Sequence, residues 1–275
     1  PSYAPPVELG AVMVGGTVSR VEASNHPGFK VGDWVLSANG WQDYALSDGS
    51  GLARLGESPE HPSYALGLLG MPGFTAYMGL LDIGKPQAGE TLVVGAATGP
   101  VGATVGQIGK LKGCRVVGIT GGAEKCRFLV EELGFDGAID YKNEDLAAGL
   151  KRECPKGIDV FFDNVGGEIL DTVLTRIAFK ARIVLCGAIS QYNNKEAVRG
   201  PANYLSLLVN RARMEGMVVM DYAQRFPEGL KEMATWLAEG KLQSREDIVE
   251  GLETFPETLL KLFSGENFGK LVLKV

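Results

Sequence analysis

The chain has 275 residues, 45% of them hydrophobic, which is enough for two domains with separate cores, and we expect two. Its formal net charge of −6 indicates no basic surface of the kind that nucleic acids and anionic membranes bind, so neither is expected as a partner.

The composition also disfavours metal and disulfide chemistry. The four cysteines, at positions 114, 126, 154 and 186, are too widely spaced for a paired metal motif and are interpreted as reduced thiols. His26 and His61 each precede a proline and are interpreted as loop residues, so no metal site is predicted. The sequence has no run of 18 apolar residues and no secretory signal at its start, which indicates a cytoplasmic protein.

The first part of the chain has the pattern of a small β domain. Short apolar runs at 12–14, 17–21 and 34–36 are separated by glycine and turn residues. Closely spaced runs of this kind predict short strands that curl into a barrel-like unit. After a stretch that contains Pro and Gly, the apolar spacing of residues 71–81 predicts a helix.

From residue 90 onward, buried strands alternate with helices. Strands are predicted at 91–96, 115–120, 137–140, 158–163 and 181–186, and helices at 101–112, 124–133, 146–153 and 168–177. Val218 and Val219 are predicted to extend the sheet, followed by helices at 227–239 and 257–263 and strands at 248–251 and 271–275. Runs of β-branched residues without polar alternation are typical of parallel strands covered on both faces, so an α/β fold with a doubly wound sheet is predicted.

A glycine-rich turn joins the first predicted strand of this sheet to its helix. Ala96, Gly99 and Gly102 form an Ala-x-x-Gly-x-x-Gly pattern, in which small residues let the backbone approach a pyrophosphate. The free N–H groups and the positive end of the helix dipole then bind its charge. A tight turn without a ligand is the alternative, but the strand–turn–helix setting favours a dinucleotide site at Thr98, Gly99, Pro100, Val101 and Gly102.

The end of the second strand of the sheet indicates which dinucleotide binds. No Asp or Glu that would hold a ribose diol lies at its tip, where Thr120 and Gly121 stand. Lys125, in the first turn of the next helix, is well placed to meet a 2′-phosphate, and a solvated surface lysine is the alternative. NADPH is therefore predicted in preference to NADH, and Glu124 is interpreted as a helix-start carboxylate.

Eight motifs, spread over the whole chain, are shared with a known family. They comprise residues 14–18, 32–35, 40–44, 70–77, 96–102, 163–167, 186–193 and 267–270. With them the chain resembles the medium-chain dehydrogenase/reductase superfamily, in the zinc-free branch of leukotriene B4 dehydrogenase/prostaglandin reductases, plant alkenal double-bond reductases and bacterial curcumin reductases. The resemblance implies a GroES-like β-barrel domain at 1–80, a Rossmann domain at 81–241 and a C-terminal segment at 242–275 that returns to the barrel. The family's usual first strands are absent before Pro1, so we expect an incomplete barrel.

The resemblance also implies the remaining cofactor contacts. Lys125 and Tyr141 would bracket the 2′-phosphate. Four residues from separate segments would also contact the cofactor: Met71, Thr75, Asn164 and Asn267. Two stretches would line the nicotinamide, one formed by Cys186, Gly187, Ala188, Ile189, Ser190 and Tyr192, and the other by Met217, Val218 and Val219. As alternatives, Asn164 merely ends a strand, Tyr141 is a surface ring and Asn267 is a turn residue.

The implied activity is NADPH-dependent reduction of the carbon–carbon double bond of an enone or enal, without zinc, because residues 14–17 lack the ligand histidine of zinc-dependent relatives. Hydride transfer to the β-carbon places negative charge on the carbonyl oxygen, which a tyrosine hydroxyl can stabilise. Tyr192 is the catalytic candidate because it follows the fifth strand, and positioning of the cofactor ribose is its alternative role. A quinone or carbonyl reductase and a non-catalytic NADPH-binding protein are alternative functions. The resemblance further implies a homodimer.

Overall fold

The N-terminal part of the chain forms a small antiparallel sheet. The computed structural model describes residues 5–275. The predicted domain boundary at residue 1 and the predicted lack of a secretory signal concern the chain start, which lies outside the described residues. Strands β1 (Thr17–Arg20), β2 (Trp34–Ser37) and β3 (Ala53–Gly56) pair in that order. Each has four residues, and only Val35 and Ser37 among them are buried. This sheet therefore contributes little to the core.

A parallel sheet of six strands forms the centre of the molecule. Its strands run in the order β6-β5-β4-β7-β8-β9, which is the strand order of Rossmann folds. They comprise β4 (Thr91–Gly95), β5 (Arg115–Thr120), β6 (Gly137–Asp140), β7 (Ile158–Asp163), β8 (Ile177–Leu185) and β9 (Arg213–Gly216). The order reverses between β4 and β7, and ligands of such sheets bind outside the carboxyl ends of the strands at this position.

Helices cover both faces of this sheet. They comprise α1 (Met71–Met78), α2 (Pro100–Leu111), α3 (Ala123–Arg127), α4 (Leu146–Glu153), α5 (Gly167–Leu174), α6 (Leu205–Asn210) and α7 (Phe226–Ala238). Successive residues of a strand point to opposite faces, so β4 sends Leu92 and Val94 into one core and Val93 into the other. The first core is completed by α1, α2 and α7, and the second by α4 and α5.

The C-terminal segment is attached to both preceding parts of the chain. Strands β10 (Glu246–Glu250) and β11 (Lys270–Lys274) pair in parallel, and α8 (Phe255–Ser264) connects them. The side chain of Gln107 on α2 exchanges two hydrogen bonds, of 3.0 and 2.8 Å, with the backbone of Gln243. At the start of α8, the ring of Phe255 lies 3.9 Å from that of Trp41, measured between centroids.

The structure departs from the sequence prediction where elements are polar or short. Residues 12–14 are not in a strand. The prediction that Val218 and Val219 extend the sheet is wrong, because the sixth strand is the polar edge strand β9 and Val219 begins a 3-10 helix. The helix predicted at 168–177 ends at Leu174, since β8 already begins at Ile177. Within residues 5–275, no helix is long and apolar enough to span a bilayer.

Candidate active site

The segments that follow β4 to β9 meet at one edge of the sheet, because all six strands run in the same direction. The predicted cofactor residues of this part of the chain lie at or just after strand ends. Thr98 follows β4, Thr120 ends β5, Tyr141 follows β6, Asn164 follows β7 and Cys186 follows β8. The fold thus brings together residues that are far apart in sequence.

The glycine-rich turn after β4 is held in a tight conformation. Ala96 has a left-handed φ of 50°, and the N–H of Gly99 donates to its carbonyl oxygen at 3.0 Å. A Cβ atom on Gly102 would lie 2.4 Å from that same oxygen and 2.8 Å from the Cα of Ala97, so no side chain fits there. Pro100 begins α2, so the first N–H groups of the helix lie beside this turn. The result is a backbone cradle of the kind that a pyrophosphate requires.

A buried contact between two threonines ties the cradle to the neighbouring strand. The hydroxyl groups of Thr98 and Thr120 lie 3.1 Å apart, and both residues are buried. The backbone N–H of Ala97 also donates to the carbonyl oxygen of Ile119 at 3.1 Å. These bonds fix the distance between the pyrophosphate cradle and the turn at Gly121, where the adenosine end of a dinucleotide would lie.

A carboxylate near this turn is occupied by backbone and amide donors. Asp140, the last residue of β6, accepts from the N–H of Gly122 at 2.8 Å and from the side chain of Asn143 at 2.8 Å. Burial alone would raise the pKa of Asp140, but these bonds lower it overall. Asp140 therefore shapes the Gly121–Gly122 turn. The ring of Tyr141 follows it and is 44% exposed.

Lys125 is anchored to the C-terminal segment. Its ammonium group donates to the carbonyl oxygens of Gly265 and Asn267, both at 2.7 Å. Burial, and then the nearby charge of Lys142, lower the pKa of Lys125. Asn267 thus contacts Lys125 through its backbone carbonyl oxygen. Its side-chain amide donates to the carbonyl oxygen of Gly269 at 3.1 Å. The structure thus places Lys125 and Asn267 side by side.

Sequence reasoning missed Lys142. Its ammonium group lies 3.5 Å from the carbonyl oxygen of Ser264, next to the atoms that bind Lys125. The available signal was its position directly after Tyr141, past the carboxyl end of a strand that pairs with β5. The approach of the C-terminal segment, more than a hundred positions away, had no local signature.

The turn after β7 connects the cradle to the segment that follows β8. Asn164 donates its amide Nδ2 to the carbonyl oxygen of Gly95 at 2.8 Å, which leaves its Oδ1 atom as an acceptor. One oxygen of the buried Asp163 accepts from the N–H groups of Val165 and Gly166 at 2.9 Å. Its other oxygen has no hydrogen-bond partner among the described residues. Burial raises the pKa of Asp163 to about 6, although the two N–H groups act against this shift.

The segment after β8 is anchored to this turn and carries Tyr192. The N–H groups of Cys186 and Gly187 donate to the carbonyl oxygen of Asp163 at 2.9 and 3.1 Å. The hydroxyl oxygen of Tyr192 accepts from the N–H of Ala188 at 3.2 Å, so its own proton is free to be donated. The Tyr192 side chain is 64% exposed. Burial and the charge of Asp163 raise the pKa of Cys186 to about 12.

The remaining predicted contacts lie on elements next to this edge. Met217 and Val219 are buried, and the N–H of Met217 donates to the carbonyl oxygen of Leu185 at 3.0 Å, beside the start of the Cys186 segment. On α1, the buried hydroxyl group of Thr75 donates to the carbonyl oxygen of Met71 at 2.8 Å. Met71 itself is 59% exposed. Within residues 5–275, no group of three or more His, Cys, Asp or Glu side chains is placed to hold a metal ion.

Two family models match the chain. Residues 100–235 match a model described as zinc-binding dehydrogenase, and residues 1–55 match one described as N-terminal domain of oxidoreductase. The first match begins at Pro100, inside the glycine-rich cradle, and covers the segments after β5 to β9. The second covers β1, β2 and all but the last residue of β3.

Relatives of known activity and structure match over the whole chain. It is 56% identical to the NADPH-dependent curcumin reductase of Escherichia coli (strain K12) and covers 81% of that protein. It is 43% identical to the 2-alkenal reductase (NADP(+)-dependent) of Nicotiana tabacum and covers 80% of that protein. The crystal structure of CurA from Vibrio vulnificus in complex with NADPH superposes with a TM-score of 0.95 at 54% identity, over 100% of this chain and 83% of the other.

The chain therefore belongs to the medium-chain dehydrogenase/reductase family, in the branch of the curcumin, alkenal and prostaglandin reductases. This confirms the family predicted from the sequence motifs. The predicted combination of a Rossmann-type parallel sheet with a separate N-terminal part is confirmed as well.

Proposed function

We propose that this protein uses NADPH to reduce the carbon–carbon double bond of α,β-unsaturated ketones and aldehydes. The observation that carries the proposal is the backbone cradle at Gly102, joined through Asn164 to the segment that bears Tyr192. The names of the relatives support the reaction class, since curcumin and 2-alkenals, the substrates that these names give, both contain a conjugated carbon–carbon double bond. The chain is accordingly an oxidoreductase that acts on enones and enals.

The cofactor residues proposed from the sequence fit this arrangement. The cradle of residues 98–102 would hold the pyrophosphate, since it offers free N–H groups and no side chains that obstruct them. Lys125 and Tyr141, with Thr120 and Gly121, would hold the adenosine end. Met71, Thr75 and Asn164 would contact the cofactor, and Asn267 would approach it beside Lys125. The nicotinamide would be lined by the segment from Cys186 to Tyr192 and by Met217 to Val219.

Bound NADPH supplies a hydride to the β-carbon of the substrate. The carbonyl oxygen of the substrate then gains negative charge, which a hydrogen-bond donor must stabilise. We assign this donor role to Tyr192, because its hydroxyl oxygen already accepts from Ala188 and its proton is left for the substrate. A proton from water at the α-carbon completes the saturated product.

Steady-state oxidation of NADPH with three substrates tests the proposal. An enal and a diarylheptanoid dienone are expected to be reduced, and the product should be saturated at the former double bond. A quinone serves as the comparison substrate. Oxidation with the quinone alone would replace the proposal by a quinone reductase, and binding of NADPH without any oxidation would replace it by a non-catalytic role.

We also propose that the reaction needs no metal. Residues 14–17 stand where zinc-dependent relatives carry a ligand histidine, and they offer no imidazole, thiolate or carboxylate. Activity after dialysis against a strong chelator should equal that of the untreated protein. Loss of activity that added zinc restores would contradict this proposal.

A homodimer formed through the Rossmann part is proposed as the assembly. Strand β9 lies at an edge of the six-stranded sheet, and α6, which packs on the neighbouring β8, exposes Leu208 at 74% and Val209 at 66%. A strand edge with adjacent apolar side chains favours association with a second copy. Light scattering should give a dimer for the wild type and a monomer for Leu208→Glu, and a monomeric wild type would contradict the assembly.

The domain boundaries and the location are proposed on the same basis. All three strands of the N-terminal sheet precede residue 80, the six parallel strands lie within 81–241, and β10 and β11 follow residue 242, which supports a division into three parts. α1 precedes residue 80 but packs in the first core of the parallel sheet. All four cysteines are free, which supports a cytoplasmic location because thiols stay reduced there.

A further inference from the structure

Lys142 crosses the turn that leads from β5 into α3. A Cβ atom on Gly121 would lie 2.9 Å from both Cδ and Cε of Lys142 and 3.1 Å from its Cγ. The absence of a side chain at position 121 therefore makes room for the stem of Lys142. This path carries its ammonium group from the end of β6 towards Lys125.

Both ammonium groups meet the C-terminal end of α8. Lys125 donates to the carbonyl oxygens of Gly265 and Asn267 at 2.7 Å, and Lys142 lies 3.5 Å from that of Ser264. Ser264 is the last residue of α8, and Gly265 ends the helix with a left-handed φ of 69°. Carbonyl oxygens at a helix C-terminus carry partial negative charge, so they attract cations to this point.

The carbonyl oxygens do not use all the donors of the two lysines. An ammonium group has three N–H donors. Lys125 places two of them on carbonyl oxygens and Lys142 places one, so three donors remain between the two residues. The partial charge of a helix end is also smaller than the two full positive charges that it holds.

The positive charge of Lys142 acts on the ammonium group of Lys125. Burial lowers the pKa of Lys125, and the charge of Lys142 lowers it further, while Asp247 and Glu124 act in the opposite direction. A dianion placed between the two ammonium groups would offset the repulsion between them. The 2′-phosphate of NADPH has this charge, and NADH has none in that position.

We propose that Lys142 is a second cation for the 2′-phosphate of NADPH, positioned by Gly121 and by the end of α8 so that it shares the phosphate with Lys125. This inference rests on the proposed use of NADPH. It assigns part of the cofactor preference to a residue that follows β6, whereas the fingerprint residues of Rossmann sites follow β4 and β5. Lys142 is thus a specificity-determining residue, without a part in the transfer of the hydride.

Binding measurements on Lys142→Met test this inference. Methionine keeps most of the length of the stem and removes the charge. Dissociation constants for NADPH and NADH, measured by cofactor fluorescence, should show about a tenfold loss of NADPH affinity with NADH affinity retained. The same comparison with 2′,5′-ADP and 5′-AMP, measured by calorimetry, isolates the 2′-phosphate. Lys142→Arg should restore most of the preference.

Lys156→Met is the matched control, because Lys156 is an exposed lysine in the loop between α4 and β7. It should leave both dissociation constants unchanged, and the melting temperature of every variant verifies that it is folded. If the wild type prefers NADPH and Lys142→Met keeps the same preference, this inference is overturned while the proposed function stands. If Lys142→Met weakens NADPH and NADH equally, the inference is also overturned. A wild type that binds neither dinucleotide overturns both.

Discussion

The carboxyl edge of the six-stranded sheet and the N-terminal sheet hold their residues in different ways. All five residues of β4 are buried, whereas none of the four residues of β1 is. At the sheet edge, backbone bonds such as Ala97 to Ile119 fix the turns that follow the strands. The proposed cofactor site is therefore built mainly from main-chain geometry. Equivalent substitutions should therefore cost more there than in the N-terminal sheet.

The cradle offers the largest expected effect. Gly102→Ala would force a Cβ atom to 2.4 Å from the carbonyl oxygen of Ala96, so the turn must open. We expect NADPH affinity to fall about 100-fold, measured by fluorescence titration. Gly200→Ala is the control, because nothing lies within 4 Å of a Cβ atom at that position. Equal affinities for the two variants would show that the tight turn is not the phosphate cradle.

At the proposed adenosine end of the site, cofactor affinity should depend more on the charge of Lys125 than on the shape of the turn. Lys125→Met removes a charge-assisted contact, and we expect NADPH affinity to fall about 30-fold while NADH affinity changes little. The ratio of the two dissociation constants, measured at one salt concentration, reports the effect. A parallel loss for both dinucleotides would mean that Lys125 acts through its bonds to the C-terminal segment instead.

Substitution of one valine in each sheet by alanine compares the packing of the two regions directly. Val117 in β5 has no exposed surface, whereas Val18 in β1 is only partly buried. We expect a loss of about 2 kcal/mol in the free energy of unfolding for Val117→Ala, because the substitution leaves a cavity in a close-packed core. For Val18→Ala the expected loss is below about 1 kcal/mol. Urea denaturation measures both, and equal losses would contradict the difference in packing.

Substitution of Tyr192, which lies in an exposed segment, should have the smallest effect on stability and a moderate effect on the catalytic rate. Tyr192→Phe removes the donor proposed for the substrate carbonyl, and we expect kcat to fall about tenfold with NADPH affinity retained. Tyr204→Phe, which changes another exposed tyrosine, is the control. An unchanged kcat would remove Tyr192 from the mechanism, and a weaker affinity with unchanged kcat would assign it to the cofactor ribose.

The same contrast explains which elements could be predicted from the sequence. The predicted bounds of β5 and β7 match the observed ones, because strands covered on both faces have continuous apolar runs. The bounds of β6, an edge strand, match as well. The sequence prediction missed β9, which lies at the sheet edge and whose residues, Arg213 to Gly216, have no such run. Residues 12–14 are apolar but exposed, so their composition alone did not make them a strand.

The candidate site divides in the same way. The cradle at Gly102 could be predicted because a short local pattern encodes the turn. Lys142 could not, since its importance depends on the end of α8, which approaches it only in the folded chain. The contacts of Lys125 with Gly265 and Asn267 are equally non-local. A local motif therefore encodes the tight turn after β4, whereas the surroundings of Lys125 and Lys142 depend on contacts that form only in the folded chain.

The environment of Cys186 has a consequence for the chemical durability of the protein. Enones and enals alkylate thiolates by conjugate addition, so a reactive cysteine beside the substrate would be consumed by it. With a pKa of about 12, this thiol is almost wholly protonated at neutral pH. The buried carboxylate of Asp163 contributes to this protection, because its negative charge opposes a second one on the sulfur.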